Sequence, residues 1–411
     1  MNLRKGGGPQ LLTLVALMAS IPFSFPHEAS IAPFLNEIAA DLDRSTGVAG
    51  QLGTVTYLGG IASALAFAPL IGQMAIRRVL VLALVAVAVT SIISSVVDDF
   101  AVLLPIRLIT GTAAGIVLAA TLAAVARAWS DPTTRVVRTG LVIGAMALGP
   151  GILAPSLRGV AALTDWQTGL VVYGAVTAGV AVFVAFALPS LPGAPTEISY
   201  RSRLAEAGRA AGMPVVRTVM MMRFVSQIMF GILFSFLAAF FLDLHPGKDA
   251  WIAPMFFVGP FGFMLAAFVG GPIMARIGVI RATALTTVLT GVTMIGFVWL
   301  APSPFVSAFF FFMYGLLTGV AQTGMTALIY QHSGNRLGAA IFVNSALGPG
   351  GSMIGAVLGG IALVAASGYD GYKVLMSVVS LGIALTAMAL WVSTRRVDDT
   401  AIAAPETVAS D

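Results

Sequence analysis

ALGPG stands at residues 147–151 and again at 346–350, each copy deep inside a long apolar run. Glycine and proline weaken a helix interior. A chain that places the same helix-weakening pentapeptide in two apolar segments 199 residues apart has two halves of similar build.

The composition says what those apolar runs are. The 411 residues are 58% hydrophobic and only 9% charged, with a mean hydropathy of +0.97. A soluble domain carries about 25% charged residues, so this is an integral membrane protein. The 45 glycines fit membrane helices that approach closely. With no cysteine and three scattered histidines, a disulfide, a thiolate metal site and a structural zinc site are not expected. No metal and no cofactor are assigned. The net charge of +5 does not point to nucleic acid, because the basic residues flank the apolar runs.

A membrane helix needs about 20 mostly apolar residues. Twelve segments qualify, at roughly 11–34, 47–71, 79–97, 101–127, 137–160, 167–189, 217–242, 251–275, 280–300, 303–330, 338–366 and 372–394. The first follows the basic start MNLRKGGGPQ and reads as a retained span, because no convincing cleavage site follows it. The longest polar interval, 190–216, divides the chain into an N-terminal bundle (1–189) and a C-terminal bundle (217–394). Within it YRSRLAEAGR reads as a short surface helix, and the tail 395–411 reads as disordered. With the N-terminus inside, sixteen Lys and Arg fall on the inner side and four on the outer (Arg44, Arg158, Lys248, Lys373). Both termini are therefore expected in the cytoplasm.

The two ALGPG copies fall in the fifth span of each half. LITGTAAG at 108–115 has its counterpart in LLTGVAQT at 316–323, and PLIGQMAIRR at 69–78 in GPIMARIGVIR at 271–281. Parallel six-helix repeats with a site between them are a transporter architecture. Their glycines and prolines (Gly111, Gly115, Gly149, Pro150, Gly348, Pro349) are candidates for close packing and gating.

These motifs resemble those of the major facilitator superfamily, and within it the twelve-helix drug/proton antiporters. LPIRLITGTAAG matches the fourth-span pattern L-x-x-R-x-x-x-G-x-x-x-G through Arg107, Gly111 and Gly115. The fifth-span pattern G-x-x-x-G-P-x-x-G-G is matched by Gly149 and Pro150, but Leu153 and Ala154 replace its last glycines. The loop pattern G-x-L-x-D-R-x-G-R-R is degraded. Arg77 and Arg78 remain, while Gly72 and Gln73 stand where Asp and Arg are expected. Its second-half echo keeps Gly271, Arg276, Gly278 and Arg281, with Ala275 in place of the Asp. The resemblance implies an all-α fold of two pseudo-symmetric six-helix bundles, a monomer, and export of small organic molecules against protons across a bacterial cytoplasmic membrane. In that fold spans 1 and 4 both line the central cavity.

A charge at the centre of a membrane helix costs about 3 kcal/mol or more. Glu28 and Arg107, each roughly 10 Å below the outer surface at 1.5 Å per residue, are the pair expected to couple the proton. The two would interact directly or through water. Arg107 would favour the charged carboxylate when near and release it when the helices rock apart. His27 is a candidate relay. The competing reading leaves Glu28 at headgroup level, with Pro22 and Pro26 unwinding span 1. Arg223 is expected to snorkel to the inner headgroups. Gln51, Tyr57, Gln227, Gln322 and Asn344 are the uncharged polar candidates for a substrate cavity or for tying helices together. The Met- and Phe-rich second half suits an amphipathic ligand or lipid. No acid, base or metal cluster indicates an enzyme, and no G-x-x-x-x-G-K-[ST] occurs. The alternative to an exporter is an importer or uniporter of a small anionic metabolite held by Arg107.

Overall fold

The computed structural model describes residues 7–67, 74–129, 131–191, 200–365 and 369–394. Gly72, Gln73, residues 192–199 of the central loop and the tail lie outside the described residues. Among those described, every regular element is helical. Ten helices are long and apolar enough to cross a bilayer, and the bent pair Gln10–Ser24 and Pro26–Asp41 makes an eleventh span. The other, span 2, runs through Thr46–Ala49 and Gln51–Ala62 to a π-helical turn at Ser63–Phe67. The fold is that of twelve spans in two six-helix bundles.

The unbroken spans are 3 (Ile76–Ser94), 4 (Phe100–Ala128), 6 (Trp166–Ala187), 7 (Pro214–Leu244), 8 (Ile252–Ile277), 9 (Val279–Trp299), 10 (Pro304–His332), 11 (Leu337–Ala365) and 12 (Asp370–Thr394). The connecting helix Tyr200–Ala211 lies between the halves. Span 1 departs from the expected single helix over 11–34. Gly7–Ser20 gives way to a 3-10 turn at Ile21–Ser24, and short helices then carry the chain to Asp41. The segments meet at 77°. Pro22, Pro26 and Pro33 sit at the first turns of these pieces. Each lacks an N–H and clashes with the preceding turn, so the helix restarts at the proline.

The two ALGPG copies fold differently. The first becomes a π-helical turn, Gly149–Leu153, joining Pro132–Ala145 to Ala154–Ala161 as span 5. The second stays inside continuous span 11 with Pro349 in its interior. The difference is in the neighbours. A Cβ at Gly149 would lie 2.7 Å from the Pro22 carbonyl oxygen, whereas one at Gly348 would meet only the Gln227 amide at 3.6 Å. Pro349 itself presses on Gly60 of span 2.

The other repeated glycines set the helix pairs. Gly111 seats span 4 against the Thr56 backbone of span 2, and Gly115 faces Ser63. Gly315 and Gly319 seat span 10 against Gly259 and Phe263 of span 8 in the same way. Glycine at these points lets two backbones touch, which is where membrane helices gain van der Waals contact.

The two halves share one core on the side away from the termini. There Ala32, Leu35, Ala39 and Ala49 of spans 1 and 2 join Leu233, Phe236 and Phe240 of span 7 in one cluster. Gly47 meets Gly360 of span 11, and Gly151 meets Pro260 of span 8. Toward the termini the halves keep separate cores, one built from Leu14 to Leu191, the other centred on Val219, Met222, Met325 and Leu390.

Candidate functional site

The break in span 1 decides where its polar residues point. The short helix Pro26–Ser30 places His27 and Glu28 side by side, 0% and 1% exposed. Glu28 is therefore in the core and not at headgroup level, because the chain continues through Asp41 before leaving the span. The Tyr57 hydroxyl of span 2 donates a 2.8 Å hydrogen bond to Glu28 Oε1. The His27 ring lies edge-on to Tyr57, with centroids 5.6 Å apart. Gly53 makes room for it, since a Cβ there would fall 2.6 Å from the imidazole. Both His27 ring nitrogens are buried without a partner.

Arg107 lies seven residues into span 4, as expected, and is 0% exposed. The expected direct contact with Glu28 does not form. The ion pairs among the described residues are Arg158–Glu37 and Lys373–Asp370. Glu28 is turned to Tyr57 instead, and Arg107 Nε, Nη1 and Nη2 are all buried without a hydrogen-bond partner. Tyr173 of span 6, also buried, interacts electrostatically with both charges, and His27 feels Arg107. Leaving a charge buried and unpaired is among the costlier arrangements in a protein. Four spans thus bring His27, Glu28, Tyr57, Arg107 and Tyr173 into one core.

The second half holds its own polar group. Arg223 does not snorkel. Its span begins at Pro214, so Arg223 is nine residues in, about 14 Å along the helix. Its Nη1 donates to Gln322 of span 10. Gln322 Nε2 donates to Gln227 Oε1 at 3.3 Å. Asn344, half-buried in span 11, has a buried Oδ1 with no partner. Gln51 belongs to the sealed side instead. It bonds Gly47 O and Thr54 within its own turn and lies against Gly360. Of the five cavity candidates, Gln227 and Gln322 come together, and Tyr57 joins Glu28.

The loop-motif residues are structural in their geometry. Arg77 donates to Leu188 O at 3.5 Å, and Arg78, Arg276 and Arg281 are exposed. Gly271 meets no neighbour. Gly278, with φ 84°, is the single residue between spans 8 and 9, and its N–H bonds Met274 O. That left-handed conformation is why glycine stands there. The phenylalanine runs divide as a helix must: Phe311 is buried beside Tyr314, while Phe309 is 59% exposed.

Sequence reading missed Tyr173, which looks like any aromatic in an apolar run, and the inward turn of Arg223. The latter had a signal: between Arg217 and Ala365 the only carboxylates are Asp243 and Asp249, both at the far end.

Comparison with known proteins adds the following. The sequence profile of the Major Facilitator Superfamily matches residues 12–348. No curated protein is significantly similar in sequence. The crystal structure of a bacterial homologue of the human lysosomal transporter Spinster, inward-facing and unoccupied, superposes with a TM-score of 0.69 at 15% identity. It covers 95% of this chain and 98% of its own. The human organic anion transporter MFSD10 (TETRAN) gives 0.68 at 16% identity, over 93% and 99% of the two chains.

Proposed function

The chain belongs to the major facilitator superfamily, and we propose that it is a proton-coupled exporter of small organic molecules working by alternating access. The observation that carries this reading is Glu28: a wholly buried carboxylate in a membrane span, held by Tyr57, with the unpartnered guanidinium of Arg107 in the same core. An ionisable group at such a depth is expensive and is retained for a task. Glu28 would take up and release the coupling proton, with Arg107 favouring its charged form in one arrangement of the bundles and not in the other. His27 and Tyr173 would complete the path. Substrate and proton would compete for opposite states, which is all that antiport requires.

In this reading residues 1–189 and 217–394 are the two rocking bundles, joined by 190–216. The termini are in the cytoplasm of a bacterium, and the protein acts as a monomer in its cytoplasmic membrane. The shared core away from the termini then seals the outside, and Gln227, Gln322 and Asn344 face a cavity that fills from the cytoplasm. An importer or uniporter of an anionic metabolite is favoured by one observation alone, the three free nitrogens of Arg107.

The test uses everted membrane vesicles made acidic inside, with a pH-reporting dye and compounds of several chemical classes. Proton release triggered by some compounds and lost in Glu28→Gln is the expected result. Release that persists in the variant removes Glu28 from the coupling path. Uptake of an anion without proton movement, abolished by Arg107→Gln, would favour the importer.

A further inference from the structure

The second half carries a cation that nothing in the chain neutralises. Arg223 lies about 14 Å into span 7. Its Nη1 donates to the neutral Gln322, and its Nε is buried without a partner. Between Arg217 and Ala365 the chain has only Asp243 and Asp249, after or at the end of that same long helix. No described ion pair includes Arg223. Unlike Arg107, it is only half-buried.

What lies beside it is rich in donors. Gln322 also lines a small cavity of about 10 Å³, room for roughly one water, between spans 7, 9 and 10. Ser226, Thr287, Thr290 and Thr318 line the same space. The Thr287 and Thr318 hydroxyls are buried without any hydrogen-bond partner. Thr290, by contrast, already donates to Thr286 O at 2.8 Å. A guanidinium with a free nitrogen and two orphaned hydroxyls, joined by one amide and with no carboxylate among them, form a site with donors to spare. A cation would be repelled there, and a neutral group would leave the charge unmet. A compact anion satisfies all of them, and a planar oxyanion suits the guanidinium fork best.

We propose that Arg223, Gln322, Thr287 and Thr318 form a subsite on the C-terminal bundle for a carboxylate group of the transported substrate. This rests on reading the space between the bundles as the transport cavity. It does not depend on Glu28 carrying the proton. The flexible methionines and phenylalanines nearby, Met221, Phe224 and Met325 among them, supply an apolar surface for the rest of such a molecule. The substrate class is then an amphiphilic organic acid, not the cationic or neutral compounds an exporter could equally take.

The test is carboxylate-dependent thermal stabilisation of the purified full-length protein in detergent at neutral pH. The probes are 1-naphthoate, 4-phenylbutyrate and decanoate, each beside its primary amide, with chloride as an inorganic competitor. At least one acid is expected to raise Tm saturably where its amide does not. Arg223→Gln should abolish that shift, and Arg223→Lys should weaken apparent affinity about tenfold or more, because a point charge cannot make the paired contact. Thr287→Val with Thr318→Val, which keeps the volume, should weaken it severalfold. Arg217→Gln makes the same charge change at the exposed start of span 7 and should keep the full shift. The proposal is overturned if the amides stabilise as the acids do, if no acid stabilises, if chloride alone accounts for the shift, or if Arg223→Gln retains it. Proton release in Glu28→Gln vesicles is a separate reading on a separate variant, and its failure leaves this outcome where it stands.

Discussion

Glu28 on span 1 and Tyr57 on span 2 meet through a 2.8 Å hydrogen bond in a region with no water-facing surface, and that bond displaces the ion pair with Arg107 that charge alone would favour. The carboxylate is therefore held by a neutral donor. A neutral donor serves both the charged and the protonated acid, which suits a group that must exist in both states.

Tyr57→Phe removes the donor and little volume. A hydrogen bond to a charged group is worth about 1.5–3 kcal/mol. Compound-triggered proton release in everted vesicles should slow about tenfold, with expression and monodispersity unchanged. An unaltered rate would reduce Tyr57 to a packing neighbour.

Gly111 and Gly315 are the points where backbones touch in the two halves. Gly111→Leu and Gly315→Leu should each destabilise the protein by about 3 kcal/mol or more, since backbone cannot yield as a side chain can. Gly140→Ala is the control, because nothing lies within 4 Å of the added methyl. Melting of purified protein in detergent decides it, and equal Tm for all three would contradict the close approach.

Gly47 lies across the seal from span 11, with its would-be Cβ 3.5 Å from Leu363 Cβ. That separation is at the short end of the disulfide range. The chain has no cysteine of its own, so Gly47→Cys with Leu363→Cys gives a single possible bridge. It should form under mild oxidation, stop transport, and release it on reduction. Transport that continues in the bridged protein would mean that this seal need not open.

Asp131 and Asp165 cap spans 5 and 6 by accepting from the Thr134 and Thr168 N–H groups, each at 2.7 Å. Those bonds hold both carboxyls below the usual aspartate range. A depressed folded-state pKa gives stability that is present above the unfolded pKa and lost as pH falls through the folded one. Tm of wild type should therefore exceed that of Asp165→Ala at pH 7, and the gap should close as the pH drops below the ordinary aspartate value. A gap constant from pH 7 to pH 3 would show that the charge is not what caps the helix.

Much of the fold was legible because a membrane leaves few alternatives. Long apolar runs must be helices, and the spacing of Gly111 and Gly115 marks a close contact. Arg107 and Glu28 stood out because charges in such runs are rare. The break at Pro22 and Pro26 was visible, but not its consequence, since two prolines say that a helix yields and not which way the freed turn aims Glu28. The identical ALGPG copies could not be told apart from sequence. Only the Pro22 carbonyl beside Gly149 distinguishes them. Arg223 was misplaced because snorkelling is the common solution for a long cation near a helix end, and the amide that captured it lies 99 residues away in the chain.

The one-residue joint at Gly278 has a mechanical meaning. Spans 8 and 9 meet through a single left-handed glycine whose own N–H is tied back to Met274, so the corner has no slack. A tilt of span 8, whose Pro260 rests against the opposite half, must arrive at span 9 as leverage, the two arms turning like a bell crank. The corresponding spans of the other half are separated by the stretch 68–75. One bundle is thus hinged stiffly at this corner where its twin has a longer tether, and force applied at the seal is carried toward the terminal side through that stiff arm.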